Sequence, residues 1–512
     1  MTDWIGYRWL AEHYGVTPVQ AFRTVSSIAG SRSSLTEEGR TTRFHAPPAR
    51  PDPTLDGHLT FALKHEGVHL EFLARLFARI ESAEIERWVA SAPTGQYARR
   101  AGFFYEWLTC RTLSSPDTAT GNYVGALDPT RYVVASAPTR NRRWRVLDNL
   151  PGTRAYCPLI ERTARVSAAE AVDCASRLQA LEAEFGADLL LRSAVWLTVK
   201  ESRASFAIEH EEMHTDRVKR FAAVMEKRCG AFEDPLSEET LRVLQREILG
   251  PRATRYGVRR SPVFVGEVDS YVQVVHYIAP HWEQIPDLLD GLRRFFVATH
   301  GGSPLVRAAV MSFGFVYLHP MADGNGRISR FLINDVLRRD GAVPAPFILP
   351  VSATIVRSVA NRRGYDQVLA LFSRPFMRRY QEAWHFGAER TGADGVRYDL
   401  DFDAYDDALA AWRYPDFTDH VEYLGAVIEE TLGQEMRKEA AYLRGLRQAR
   451  ERIKAVIEGP DADIDRIIRS VRESGDSLSG RIVKEFPALV EPAVAEAVID
   501  AVHRAFSRAR EE

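Results

Sequence analysis

Apolar residues recur at helical spacing along most of this chain, and the places where that rhythm fails mark its divisions. The segment LTFALKHEGVHLEFLARLFARI (59–80) keeps one apolar face throughout and predicts a packed helix. Before it, HAPPARPDPTLDG (45–57) resists helix, because each proline lacks an amide donor and biases its predecessor toward extended backbone. Long amphipathic helices are predicted over 168–186 and 191–225. The pattern then changes at RRSPVFVGEVDSYVQVVHYIAP (259–280), whose β-branched and aromatic residues, with Gly-Glu and Asp-Ser as turn candidates, predict a β-hairpin. Helical spacing resumes through 282–300 and 303–320. Ser303 before Pro304 makes a cap and first turn, and Pro320 stops the helix. A further helix is marked on one face by Ile328, Phe331, Leu332, Val336 and Leu337.

Between those last two helices lies LHPMADGNGRISR (318–330). A helix N-terminus presents unpaired amides and partial positive charge, which attract an anion. Gly324 and Gly326 let phosphate oxygens approach those amides, and Asn325 adds a side-chain donor. Arg327 and Arg330, three apart in the first turn, can serve one polyphosphate from neighbouring positions. Asp323 is a hard oxygen ligand suited to Mg²⁺ on a nucleotide. His319, at the rim, titrates in the range of a base at neutral pH. Base, metal ligand and anion cradle together imply phosphoryl or nucleotidyl transfer to a hydroxyl. The GK[ST] ending of a Walker loop is absent.

HPMADGNGRISR resembles the Fic domain signature, HPFx[D/E]GNGRxxR. LSEETLRVLQREILGP and YGVRRSPVFVG upstream, with LPVSATIVRSVANRRGYDQVL downstream, resemble the flanks of a Fic core over roughly residues 236–385. The resemblance implies a protein adenylyltransferase that moves AMP from ATP to a Ser, Thr or Tyr hydroxyl of a protein. It implies His319 as general base and Asp323 as Mg²⁺ ligand, with Gly324, Asn325 and Gly326 as the phosphate nest. Arg327 would hold the α/β phosphates and Arg330 the γ-phosphate. The hairpin resembles the family flap, which aligns a target segment by strand addition. Met321 stands where phenylalanine is usual and implies altered loop rigidity with the chemistry retained.

Many members also carry an inhibitory helix, [S/T]xxxE[G/N]. The strict pattern occurs at SLTEEG, Ser34 to Gly39, in a loop-like stretch. KESRASFAIEHE (200–211) is the better match, with Ser205 and Glu209 correctly spaced in a predicted helix and His210 replacing Gly/Asn. By the resemblance, Glu209 would pair with Arg330 and hold an N-terminally braked enzyme nearly off.

Composition narrows the field. With 512 residues, 45% apolar and 27% charged, the chain has the make-up of a soluble globular protein of several domains. A net charge of −2 gives no global attraction to nucleic acid or anionic membrane. No apolar run reaches bilayer length and no signal peptide is seen, so the expected setting is cytoplasmic, away from membrane. Cys110, Cys157, Cys174 and Cys229 are scattered, against a disulfide framework or thiolate zinc site. RNRRWRVLDNLPG (140–152) reads as a solvated basic loop rather than an RNA contact.

The expected fold is mainly α: a Fic-type helical core with a β-hairpin flap, flanked by helical N- and C-terminal regions. The expected divisions are 1–165, mixed and helical; 166–235, with the inhibitory helix; 236–387, the catalytic core; and 388–512, a C-terminal helical domain. ATP and an unidentified acceptor protein, the chain itself included, are the expected partners, with Mg²⁺ as cofactor; self-association is left open. Two rival readings remain. HEGVH (65–69) and HEEMH (210–214) have the spacing of a zinc metallohydrolase, although structural histidines that pack or cap are preferred. Alternatively, the chain is a nucleotide sensor, its C-terminal helices (463–506) having the rhythm of a DNA-reading module.

Overall fold

A computed structural model describes residues 2–37, 39–209, 215–250, 257–269, 272–475 and 477–507. The protein is mainly helical, with small sheets, and forms two compact units. Each unit is assembled from three separate stretches. One comprises Met1–Ala171, Gly230–Asp340 and Arg362–Gly425; the other comprises Val172–Cys229, Gly341–Asn361 and Ala426–Glu512.

In the first unit, strands Trp4–Ile5, Thr24–Ile28, Arg40–His45 and Ser33–Glu37 form a sheet in that spatial order. Thr24–Ile28 and Arg40–His45 run parallel, Thr24 opposite Thr41. Ser33–Glu37 is an exposed edge strand, so the strict inhibitory-helix pattern beginning at Ser34 falls on strand rather than loop; its Glu38 lies outside the described residues. Phe72, Leu73, Leu76, Phe77, Phe104 and Trp144 are fully buried in the core beside this sheet.

The single helix expected over 59–80 is broken. Helix Leu55–Phe61 passes into a π-turn over Ala62–Glu66, and a new helix runs Leu70–Arg79. Gly67 between them has φ 103°, a conformation open to glycine, and a Cβ there would meet Tyr132 Oη at 2.2 Å. Tyr7 Oη donates to Gly67 O (2.7 Å), and Val68 N donates to Tyr132 Oη (2.9 Å). Two distant tyrosines thus draw the backbone out of its helical ladder.

Half of the basic loop is a staple rather than a solvated surface. Arg143 reaches Glu106 (3.0 Å), Asp117 (2.8 Å) and Leu113 O (2.6 Å), while Trp144 Nε1 donates to Glu106 (2.7 Å). Arg145 donates to Thr118 O and Gly121 O. Those two guanidiniums hold the loop between residues 113 and 124, while Arg140 and Arg142 are exposed.

The middle stretch of this unit adds helices Glu238–Leu249, Ile285–Ala298, Pro304–Leu318 and Asn325–Arg339. The hairpin is present: Phe264–Asp269 pairs antiparallel with Val272–Ile278, Phe264 opposite Ile278, with an irregularity after Val265. Its root is anchored by Tyr277, whose hydroxyl donates to Tyr317 O (2.7 Å) and accepts from Trp412 Nε1 (2.9 Å). A second hairpin, Trp384–Thr391 with Arg397–Phe402, follows.

The second unit is built on helix Ala187–Ile208. Buried Glu201 accepts from Ser352 N (2.7 Å) and Ser352 Oγ (2.5 Å) at the start of helix Val351–Val356. Its C-terminal helices, Asp461–Glu473, Gly480–Glu485 and Pro492–Phe506, close on Ile464, Ile467, Ile468, Val498 and Val502. The last helix exposes Glu496 and Asp500, and Arg504 is paired with Asp500 (2.8 Å). Among the described residues, no helix is long and apolar enough to cross a membrane.

Candidate active site

Helix Pro304–Leu318 is almost wholly buried, which makes its end a rigid platform. It starts as expected, Ser303 Oγ accepting from Val306 N (3.5 Å). It stops at His319, a non-glycine residue in the left-handed region (φ 47°, ψ 54°). That conformation costs on the order of 1–2 kcal/mol and persists only where neighbours over-determine it.

Arg259, 1% exposed, supplies that constraint. Its Nε donates to His319 O (2.8 Å), Nη1 to Ser261 O (2.8 Å) and Nη2 to Pro280 O (2.6 Å). Its backbone N donates to Pro320 O (2.9 Å), and Val258 bridges antiparallel to Met321. One guanidinium therefore ties the turn at His319 to both ends of the hairpin. Burial pushes Arg259 down to about 10, which leaves it cationic at neutral pH.

The half-buried His319 ring has Nδ1 3.2 Å from Val316 O. A carbonyl can only accept, so Nδ1 carries the hydrogen and Nε2 keeps its lone pair. Burial, aided by the nearby Arg259 charge, lowers the imidazole to about 4. The ring is thus a neutral base already in the useful tautomer. Accordingly, kcat/KM should stay level from neutral pH to about pH 5 and fall along a limb centred near 4. A pH series of initial rates checks this; a limb at the ordinary 6.5 would remove the buried-base assignment.

Met321 is fully buried, as a core anchor must be. Asn325 behaves differently from expectation. Its Oδ1 accepts from Met321 N (2.9 Å) and its Nδ2 donates to Met321 O (2.8 Å), closing the loop on itself. One hydrogen of the side-chain amide is therefore committed to the loop, and the backbone N–H is what Asn325 offers an anion from the helix mouth. Helix Asn325–Arg339 follows Gly324, at φ 86°, with no side-chain cap. The first-turn amides of Asn325, Gly326 and Arg327 thus have no carbonyl of their own helix to bond.

Asp323 Oδ1 accepts from Gly324 N (2.6 Å) and Arg327 Nη2 (3.1 Å). Its side chain is 65% exposed, with Oδ2 turned to no protein donor among the described residues, so the carboxylate fits a hard cation. Arg327 and Arg330 are 2% and 3% exposed, drawn in at the helix mouth.

Two further residues position this loop and were missed from sequence. Arg259 sits in RRSP, where it reads as half of an incidental basic pair. Buried Gln245 donates to Asp323 O (2.9 Å) and accepts from Gly257 N (2.7 Å). The available signal was a polar side chain on the inward face of an amphipathic helix.

Ser205 and Glu209 belong to the second unit. Ser205 is buried, and Glu209 forms the C-terminal cap of Ala187–Ile208 instead of continuing the helix. The first HExxH is not a zinc face. The break at Gly67 separates His65 from His69, which caps the next helix by accepting from Phe72 N (3.2 Å) and contacts Gln20 O through Nε2 (3.0 Å). Glu66 is buried against Tyr7 N (2.7 Å), and burial raises it to about 8. HEEMH (210–214) lies outside the described residues.

Residues 235–337 match the profile of the Fic/DOC family. The chain is 28% identical over 175 residues to the protein adenylyltransferase fic-1 of Caenorhabditis elegans, covering 32% of this chain and 31% of that protein. It is 32% identical over 105 residues to the protein adenylyltransferase Fic of Drosophila melanogaster, covering 20% of each. The match thus spans under a third of these relatives' length. Among solved structures, a Fic family protein from Desulfovibrio desulfuricans shares 18% identity at a TM-score of 0.38, covering 63% of this chain and 87% of that one.

Proposed function

We propose, from the premise that residues 235–337 are a Fic-family domain, that the chain is a protein adenylyltransferase transferring AMP from ATP to a protein hydroxyl. The observation that carries the reading is the His319 tautomer, with Nδ1 bonded to Val316 O and a neutral Nε2 beside an anion-seeking helix mouth. Nε2 takes the proton from the acceptor hydroxyl while its oxygen attacks the α-phosphorus. The bond from that phosphorus to the bridging oxygen breaks, and pyrophosphate leaves. The first-turn amides from Asn325 onward, with Arg327 and Arg330, stabilise charge on the phosphates. Asp323 would hold Mg²⁺, which when bound neutralises phosphate charge.

The test is covalent label on protein after incubation with α-labelled ATP and Mg²⁺. Label from γ-labelled ATP instead would mean phosphotransfer. Regulation by Glu209 belongs to the same proposal, supported by its spacing from Ser205 and by its place at a helix end. Glu209→Gly is expected to raise labelling by about tenfold, within the usual range of an intramolecular coupling. Equal labelling by a measurably active wild type and by the variant would remove the brake.

A further inference from the structure

Beside the catalytic loop lies an open cleft of about 230 Å³, lined by Arg242, Val258, Arg260, Ala322, Ala393 and Asp394. The mechanism above makes no use of it. Ala322 belongs to the loop itself, three residues past His319. Val258 and Arg260 flank the Arg259 clamp at the root of the flap, so the cleft adjoins both the flap and the loop that carries His319.

Its outer wall is the tip of the second hairpin, and that tip is fastened in place. Asp394 Oδ2 accepts from Arg260 N (2.7 Å) and Ser261 Oγ (2.9 Å), and Oδ1 accepts from Val396 N (3.1 Å). Phe386 of this hairpin meets Phe264 of the flap at 5.7 Å between ring centroids. The second hairpin is therefore braced against the flap.

Three guanidiniums, those of Arg242, Arg259 and Arg260, and two carboxylates, those of Glu238 and Asp394, line the cleft, an excess of one positive charge. The Asp394 carboxylate is engaged by those three donors. Glu238 is bonded to Arg242 at 2.9 Å, both side chains more than half exposed. Arg260 is exposed, and its guanidinium has no protein partner among the described residues. An unmatched fork of donors thus faces solvent next to the residue that clamps His319.

We propose that this cleft receives an acidic side chain of the acceptor protein, next in its chain to the modified hydroxyl, with Arg260 as the specificity-determining residue. The inference rests on the transferase reading and adds the class of acceptor. A carboxylate suits the guanidinium fork, whereas a lysine or arginine at the same place meets like charge.

The test uses the full chain, α-labelled ATP, and peptides with one hydroxyl residue flanked by Asp/Glu, by Asn/Gln or by Lys/Arg. Acidic flanks should be labelled about fivefold faster than neutral ones, basic flanks slowest. Arg260→Lys should keep the order and Arg260→Glu should reverse it, with KM for ATP unchanged in both. Charge-blind labelling by wild type, an order unchanged in Arg260→Glu, or a variant that raises KM for ATP alone would overturn the inference and leave the transferase reading standing. Absence of label on every peptide, with both wild type and Glu209→Gly, would overturn both.

Discussion

Replacing His319 with alanine is expected to lower the rate of AMP transfer by about 10²–10⁴-fold, the usual contribution of a positioned general base. ATP affinity should hold, because the phosphate-binding groups of the proposal lie beyond His319, from Asp323 to Arg330. Alanine also sits poorly at φ 47°, so His319→Asn is the companion variant, asparagine being more tolerant of left-handed backbone. Single-turnover labelling and a binding isotherm for ATP check the pair. Were both variants to transfer AMP within threefold of wild type, the base would have to be another group.

Arg259→Met is expected to cost about 3–5 kcal/mol of stability, which urea unfolding would measure. The methionine fills much of the volume but leaves the carbonyls of His319, Ser261 and Pro280 without their donor. An unmade buried hydrogen bond costs more than a made one contributes, and here three fail together. Arg259→Lys should fall between, since a compact ammonium cannot span three carbonyls in the geometry of a planar fork. Removing the cation should also raise the His319 pKa, moving the acid limb of kcat/KM upward from about 4. A loss below about 1 kcal/mol would mean the loop is held by Asn325 and Gln245 without Arg259.

How much of this was legible depends on how far along the chain each partner lies. The helix start at Pro304, its end before Pro320, the hairpin over 264–278 and the glycine at the mouth of the next helix all follow from spacing within a few residues. Local backbone preferences and periodicity carry those features. The break at Gly67 was hidden, because 59–80 has flawless helical periodicity and the forces against it come from Tyr7 and Tyr132. Within RNRRWR, the pairing of Arg143 with Glu106 and Asp117 was hidden for the same reason, its partners lying 37 and 26 positions away. Asn325 was assigned to phosphate by residue type, yet its amide closes a ring with Met321, a choice of rotamer that composition does not record.

The amino-acid order alone determined the chemical inventory: an imidazole, a carboxylate, two glycines and two arginines at the junction of two helices, preceded by a strand pair. Tertiary structure decided the working state of that inventory. Which ring nitrogen bears the hydrogen depends on the fold of the turn that carries His319 back onto Val316 O, and what bends His319 into left-handed backbone depends on a guanidinium 60 positions earlier in the chain. A side chain's type travels with the chain, whereas its protonation, rotamer and bonding partner are properties of the surroundings that folding brings to it.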